Sequence, residues 1–131
     1  MNYINTNPPI VRLSSLVVLP VPLHPKRLRE RDFNQSLILA KEISKAVGIP
    51  LIIDNLQRIR WTRPQIELKG EERLINVKGA FALKNHKAIE GKSILLIDDV
   101  YTTGATVREC SKILKKAGVE KVYVLTLARV I

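Results

Sequence analysis

The sequence predicts an α/β fold with a central, mostly parallel sheet flanked by helices. Three observations carry this. Leu16-Val17-Val18-Leu19 and Ile94-Leu95-Leu96-Ile97 are short apolar runs without alternation, as expected of strands buried on both faces. Two stretches, from Phe33 and from Val107, switch to the three- and four-residue spacing of amphipathic helices. The elements alternate along the chain, which is the order of α/β folds.

Residues 1–14 read as an irregular lead-in. The run from Leu16 to Val21 is the first strand, and Pro20, Pro22 and Pro25 disfavour a helix directly after it. Phe33, Leu37, Ala40, Ile43 and Val47 mark the first helix, with Asp32 as its expected cap and Gly48-Ile49-Pro50 as its stop. Leu51–Ile53 and Leu56–Ile59 are candidate short strands. Residues 60–78 carry many charges and scattered apolar positions, and are expected to form a long loop with a functional role. Gly79–Leu83 resumes a strand pattern, residues 85–92 form a polar connection, and Ile94–Ile97 is a strand that ends in Asp98 and Asp99. Val107, Cys110, Ile113, Leu114 and Ala117 trace the second helix, stopped by Gly118. Lys121–Leu127 is the closing strand.

The chain has 131 residues, a net charge of +10, 46% hydrophobic and 26% charged residues. That length suits one domain and that composition argues against disorder. No apolar run approaches the roughly 20 residues of a membrane helix, and the first residues lack a signal-peptide pattern, so a cytoplasmic protein without membrane insertion is expected. Cys110 is the single cysteine, and with only His24 and His86 beside it a transition-metal site built by protein is not expected. The positive charge favours an anionic partner: phosphate esters, pyrophosphate or nucleic acid. It clusters in Lys26, Arg27, Arg29 and Arg31, and again in Arg58, Arg60, Arg63, Lys69 and Arg73. A solvated basic surface is the plainer alternative for both clusters.

The chemistry concentrates in residues 94–106. A buried strand leads to two adjacent carboxylates; Thr102-Thr103-Gly104-Ala105-Thr106 then turns into a helix. Ligands of open α/β sheets bind beyond the carboxyl ends of strands. A helix start offers free N–H groups and positive potential to a phosphate, glycine permits close approach, and threonines add hydroxyls. The aspartates suit neutral hydroxyls or a cation. A ribose 5-phosphate satisfies both halves.

The segment resembles the phosphoribosyl-pyrophosphate (PRPP) motif of type I phosphoribosyltransferases at every position: four apolar residues, two acidic, one apolar, one variable, then Thr-Thr-Gly-x-Thr. A second likeness narrows the family. Val21-Pro22-Leu23, Arg27 to Arg31, Phe33-Asn34-Gln35, and the set Arg58, Arg60, Thr62, Gln65, Arg73, Asn76, Gly79, Ala80 and Phe81 are similar to the ComF/GntX family of competence-associated phosphoribosyltransferase-like proteins, over about residues 16–129. Typical members carry an N-terminal Cys-rich zinc-binding segment, which this sequence does not show; a short member or a fragment is expected.

The resemblance implies a type I phosphoribosyltransferase-like domain over residues 15–131, with a hood reduced to residues 1–14 or absent, and a mobile catalytic loop at about 60–78. It implies that Asp98 and Asp99 hold the ribose hydroxyls and that Thr102, Thr103, Gly104, Ala105 and Thr106 cradle the 5′-phosphate. Lys26, Arg27, Arg29 and Arg31 would face the pyrophosphate. Asp98, Asp99, Arg58 and Arg60 are the implied catalytic set. Mg²⁺ is the implied cofactor, bound to pyrophosphate and ribose oxygens with Asp98 and Asp99 reached through water. The implied activity is phosphoribosyl transfer from PRPP to an unidentified acceptor. The alternative is a single-stranded-DNA-binding competence module in which the site is regulatory or vestigial; a competence helicase and a second copy of the chain are further expected partners. Structural roles compete at several positions. Arg58, Arg60, Arg63 and Arg73 also suit structural roles, Arg73 as an anchor of the loop; His24 suits proton transfer or an incidental role, Tyr101 suits packing, and Trp61 suits either base stacking or lid packing. Cys110 reads as core.

Overall fold

The computed structural model describes residues 15–23, 34–60, 69–101 and 104–129. Their elements are β1 (Leu16–Pro20), α1 (Gln35–Val47), β2 (Leu56–Arg58), α2 (Gly70–Val77), β3 (Phe81–Leu83), β4 (Ser93–Tyr101), α3 (Ala105–Lys116) and β5 (Val122–Arg129). The fold class is the one expected: a parallel sheet in the order β1-β4-β5, flanked by helices, with a separate antiparallel pair β2-β3.

The two apolar runs are central because both edges of each are used. β1 pairs with β4 along Leu16↔Ser93 to Pro20↔Ile97. On its other edge it bonds residues 50–52, with Val18 N–H donating to the Pro50 carbonyl at 2.8 Å and Ile52 N–H to the Val18 carbonyl at 3.0 Å. The expected strand at Leu51–Ile53 is therefore a single bridge, Val18↔Leu51. Both faces are covered. Val17, Leu19, Ile94 and Leu96 pack in one cluster with Cys110 and Leu114 of α3. Leu16, Val18 and Ile97 pack in another with Ala40 of α1. The two helices thus lie on opposite faces.

Local chemistry sets the boundaries and corrects several expectations. Asn34, not Asp32, caps α1: its side-chain oxygen accepts the N–H groups of Ser36 at 3.0 Å and Leu37 at 3.3 Å, and Asp32 lies outside the described residues. Gly48 ends α1 at φ 72°, a conformation that suits glycine. The expected long loop at 60–78 holds a helix at its end. α2 starts where the Glu72 side chain accepts the Lys69 N–H at 3.1 Å and the Glu72 N–H donates to the Lys69 carbonyl at 2.9 Å, a start that an irregular hydrophobic pattern conceals. β4 does not stop at the aspartates but continues to Tyr101, because β5 pairs with it through Asp98↔Thr126 to Tyr101↔Arg129. β5 accordingly runs to Arg129 rather than Leu127. The polar connection at 85–92 contains a single 3₁₀ turn, His86–Ala88, under the Asn85 side chain. The expected lead-in at 1–14 lies outside the described residues.

Candidate functional site

The topology creates a crevice at one end of the sheet. From β1 the chain passes through α1 to residues 50–52 on one side; from β4 it passes through α3 to β5 on the other. The connections diverge between the carboxyl ends of β1 and β4, which is where open α/β sheets place ligands. The last β1–β4 pair is Pro20↔Ile97. Asp98 is thus the first β4 residue that β1 has left, although β5 still accompanies it.

Asp98 is 8% exposed. Its Oδ1 accepts the Asp99 N–H at 2.9 Å and the Ser36 hydroxyl at 3.4 Å. Burial, and then the charge of Asp99, push Asp98 up from the ordinary carboxylate range to about 7, while the Asp99 N–H and the charge of Arg58 pull the other way. Asp99 is half-buried. Arg58 reaches toward this region from β2, with its guanidinium 4.6 Å from the ring centre of Phe81 on β3, a cation–π contact.

Beyond the carboxylates, Gly104 sits at φ 86° and leads into α3. A side chain would be strained there. Among the described residues no side chain caps α3, and its first turn carries no acidic residue. The opening N–H groups of a helix have no intrahelical partner, so Ala105 and Thr106 begin a helix start whose positive potential faces the end of β4 uncompensated by any carboxylate of its own first turn. Gly104 and Ala105 are buried and Thr106 is half-buried.

The structure thus brings Asp98, Asp99, Gly104, Ala105 and Thr106 to one sheet end, with Arg58 acting on Asp98 from β2. Arg60 is engaged elsewhere: its guanidinium donates to the carbonyls of Asn76 and Lys78, each at 2.7 Å, and so ties α2 to β2. Thr102, Thr103, Lys26, Arg27, Arg29, Arg31, Arg63, His24 and Trp61 lie outside the described residues. Cys110 is fully buried in the core, and burial pushes its thiol far above its usual range, so it is no nucleophile. A cleft of about 580 Å³ opens beside the β1 exit, walled by Pro20, Pro22, Leu37, Ile53 and Arg58. Neither aspartate lines it. Among the described residues no group of three His, Cys, Asp or Glu side chains forms a metal cage.

Ser36 is the residue that reasoning from sequence missed. It comes from the first turn of α1, 62 positions from Asp98. The available signal was Asn34, a strong N-cap residue whose helix start must point somewhere.

Residues 34–130 match the phosphoribosyl transferase domain. The chain belongs to that family. Within it, the chain is similar to competence protein F of Haemophilus influenzae, with 38% identity over 113 residues, 86% of this chain and 49% of the relative. It is similar to competence protein ComFC of Bacillus subtilis, with 39% identity over 86% of this chain and 44% of the relative. DNA utilization protein YhgH of Escherichia coli K12 is 34% identical over 86% and 48%. These relatives support the ComF type. The chain spans about half the length of the curated relatives it matches. Among solved structures, the glutamine PRPP amidotransferase of B. subtilis superposes with a TM-score of 0.56 at 23% identity, over 86% of this chain and 22% of that one. The PRPP synthetase of Mycobacterium smegmatis superposes at 0.50 and 19%, over 88% and 28%. At these identities the likeness is one of fold.

Proposed function

We propose that this phosphoribosyltransferase-like domain binds PRPP together with Mg²⁺ and transfers the phosphoribosyl group to an acceptor, releasing pyrophosphate. The observation that carries the proposal is the pairing of a carboxylate couple at the sheet crevice with an uncapped helix start behind a left-handed Gly104. The two halves match the two chemistries of a ribose 5-phosphate. Asp98 and Asp99 accept hydrogen bonds from the ribose hydroxyls, and Gly104 to Thr106 receive the phosphate. As the bond from ribose C1 to pyrophosphate lengthens, the sugar gains positive charge, which the adjacent carboxylates favour. Basic side chains of the Lys26–Arg31 segment would neutralise the leaving group. The donor set suits Mg²⁺ held mainly by ligand oxygens, with Asp98 and Asp99 reached through water, a usual arrangement for magnesium on phosphates. When bound it supplies charge neutralisation at the pyrophosphate oxygens.

Isothermal titration with PRPP and Mg²⁺ tests the binding. Saturable heat is expected, and its loss is expected in Asp98→Asn with Asp99→Asn. No heat from the native protein at millimolar ligand overturns the proposal. A pyrophosphate-release screen over bases and amines then identifies the acceptor.

The names of the relatives, competence protein F and DNA utilization protein, favour a second reading alongside the charge of +10. In it the chain binds single-stranded DNA in a competence role, with a helicase as a further partner. With six aromatic residues in all, phosphate contacts would dominate over base stacking. Such binding must weaken steeply with salt; affinity that is absent at low salt, or indifferent to salt, excludes it.

A further inference from the structure

We propose that Ser36 is a positioning residue for Asp98: its hydroxyl, with the Asp99 N–H, holds Oδ1 so that Oδ2 is presented to the ribose. The inference rests on the proposed reading of the site as a ribose-phosphate site.

Ser36 is 4% exposed and Asp98 is 8% exposed, so neither group's hydrogen-bonding capacity is spent on bulk water. A buried hydroxyl needs a partner, and the one beside Ser36 is Asp98 Oδ1 at 3.4 Å. The same oxygen accepts the Asp99 N–H at 2.9 Å. Two donors on one oxygen fix the plane of the carboxylate. The Asp99 side chain also bonds Asp98, so the carboxylate pair meets a ligand as a unit.

Ser36 is itself held. Its backbone N–H donates to the Asn34 side chain at 3.0 Å, and the Asn34 amide nitrogen donates to the Val21 carbonyl at 3.4 Å. Val21 N–H in turn donates to the Ile97 carbonyl at 2.8 Å, one residue before Asp98. These bonds close a ring from β1 through the start of α1 to β4 and back. Asn34 and Val21 bracket the basic segment that contains Lys26, Arg27, Arg29 and Arg31. The neck of that segment and the carboxylate are therefore set by one frame. Among the described residues, the other ionisable groups acting on Asp98 are Asp99 beside it and Arg58 from β2, and the charge of Asp98 is felt by the buried Cys110 thiol of α3. Removing the Ser36 hydroxyl takes a donor from the charged form of Asp98 and nothing from the phosphate end.

The test compares the native chain with Ser36→Ala and Ser36→Thr. Affinities for ribose 5-phosphate and for inorganic phosphate are measured by titration calorimetry, and the Asp98 ionisation midpoint by carbon-13 NMR of its carboxyl. Ser36→Ala is expected to weaken ribose 5-phosphate about tenfold, leave inorganic phosphate within twofold, and raise the Asp98 midpoint by about one pH unit. Ser36→Thr, which keeps the hydroxyl, is expected to restore both. Equal weakening of the two ligands, or an unmoved midpoint in Ser36→Ala, shows a merely structural role and overturns the proposal. If the native chain binds neither ligand, the ribose-phosphate reading falls, and the carboxyl midpoint still decides whether Ser36 governs Asp98.

Discussion

At the scale of single residues, the site is built at a thermodynamic cost. Asp98 holds its proton to about pH 7 in the folded chain, whereas an unfolded aspartate releases it near pH 4 or roughly 3.9. Between those values the folded state binds more protons than the unfolded state. Stability from this group is fully present below about pH 4 and is lost as the pH rises through about 7. Asp98→Asn removes the charge that burial disfavours while keeping an oxygen for Ser36 and the Asp99 N–H. It is expected to flatten this part of the pH profile and to stabilise the chain at pH 8 by about 1–2 kcal/mol, read by urea unfolding at pH 5 and pH 8, while ribose-phosphate binding is lost. Gly104 makes the complementary case. At φ 86° an alanine would be strained, so Gly104→Ala is expected to cost about 1–2 kcal/mol and to weaken inorganic phosphate more than Asp98→Asn does. Parallel calorimetric titrations of the two variants check that ordering.

At the scale of elements, the β2–β3 pair carries Arg58 to the site and is fastened by side chains rather than by length. Asn55, 5% exposed, donates to the Asn85 carbonyl at 3.0 Å and accepts the Asn85 N–H at 2.8 Å. It prolongs the three-residue ladder by imitating one more backbone pair. Asn55→Ala removes both bonds to the Asn85 backbone and is expected to cost about 1 kcal/mol, with faster amide exchange at Phe81–Leu83. Arg60 fastens the other end through Asn76 and Lys78, and the Gly79 N–H donates to Glu109 of α3 at 3.2 Å. These fastenings mark the limit of what the sequence discloses. α1 was legible because Leu37, Ala40 and Ile43 repeat at helical spacing over 13 residues. α2 was not, because its eight residues open with Glu71, Glu72 and Arg73 and hold too few apolar positions for a period to emerge. Asp98, Asp99 and Gly104 were legible because they are near neighbours in the chain. Arg58 was named only through the family likeness, and Ser36 was not legible at all, since only the packing of α1 against β1 and β4 brings it there.

At the scale of the whole molecule, the fold class followed from the two unalternating apolar runs, while the order β1-β4-β5 and the divergence of α1 and α3 required the structure. A ligand that binds the folded chain and not the unfolded one stabilises it by linkage. PRPP with Mg²⁺ at about 100 times its dissociation constant is expected to add about 2.7 kcal/mol, seen as a rise of several degrees in Tm that vanishes in the double aspartate variant. The sheet itself has a further consequence, at β5. That strand runs eight residues from Val122 to Arg129 with no charge before its last position. Among the described residues its outer edge meets no strand, and Val124, Leu125 and Leu127 are exposed. A long, apolar, unguarded edge is a template for sticking chain to chain. Concentrated solutions of this polypeptide should therefore turn cloudy through edge-to-edge stacking, and a single gatekeeper charge, Leu127→Lys, should keep them clear without touching the ligand site.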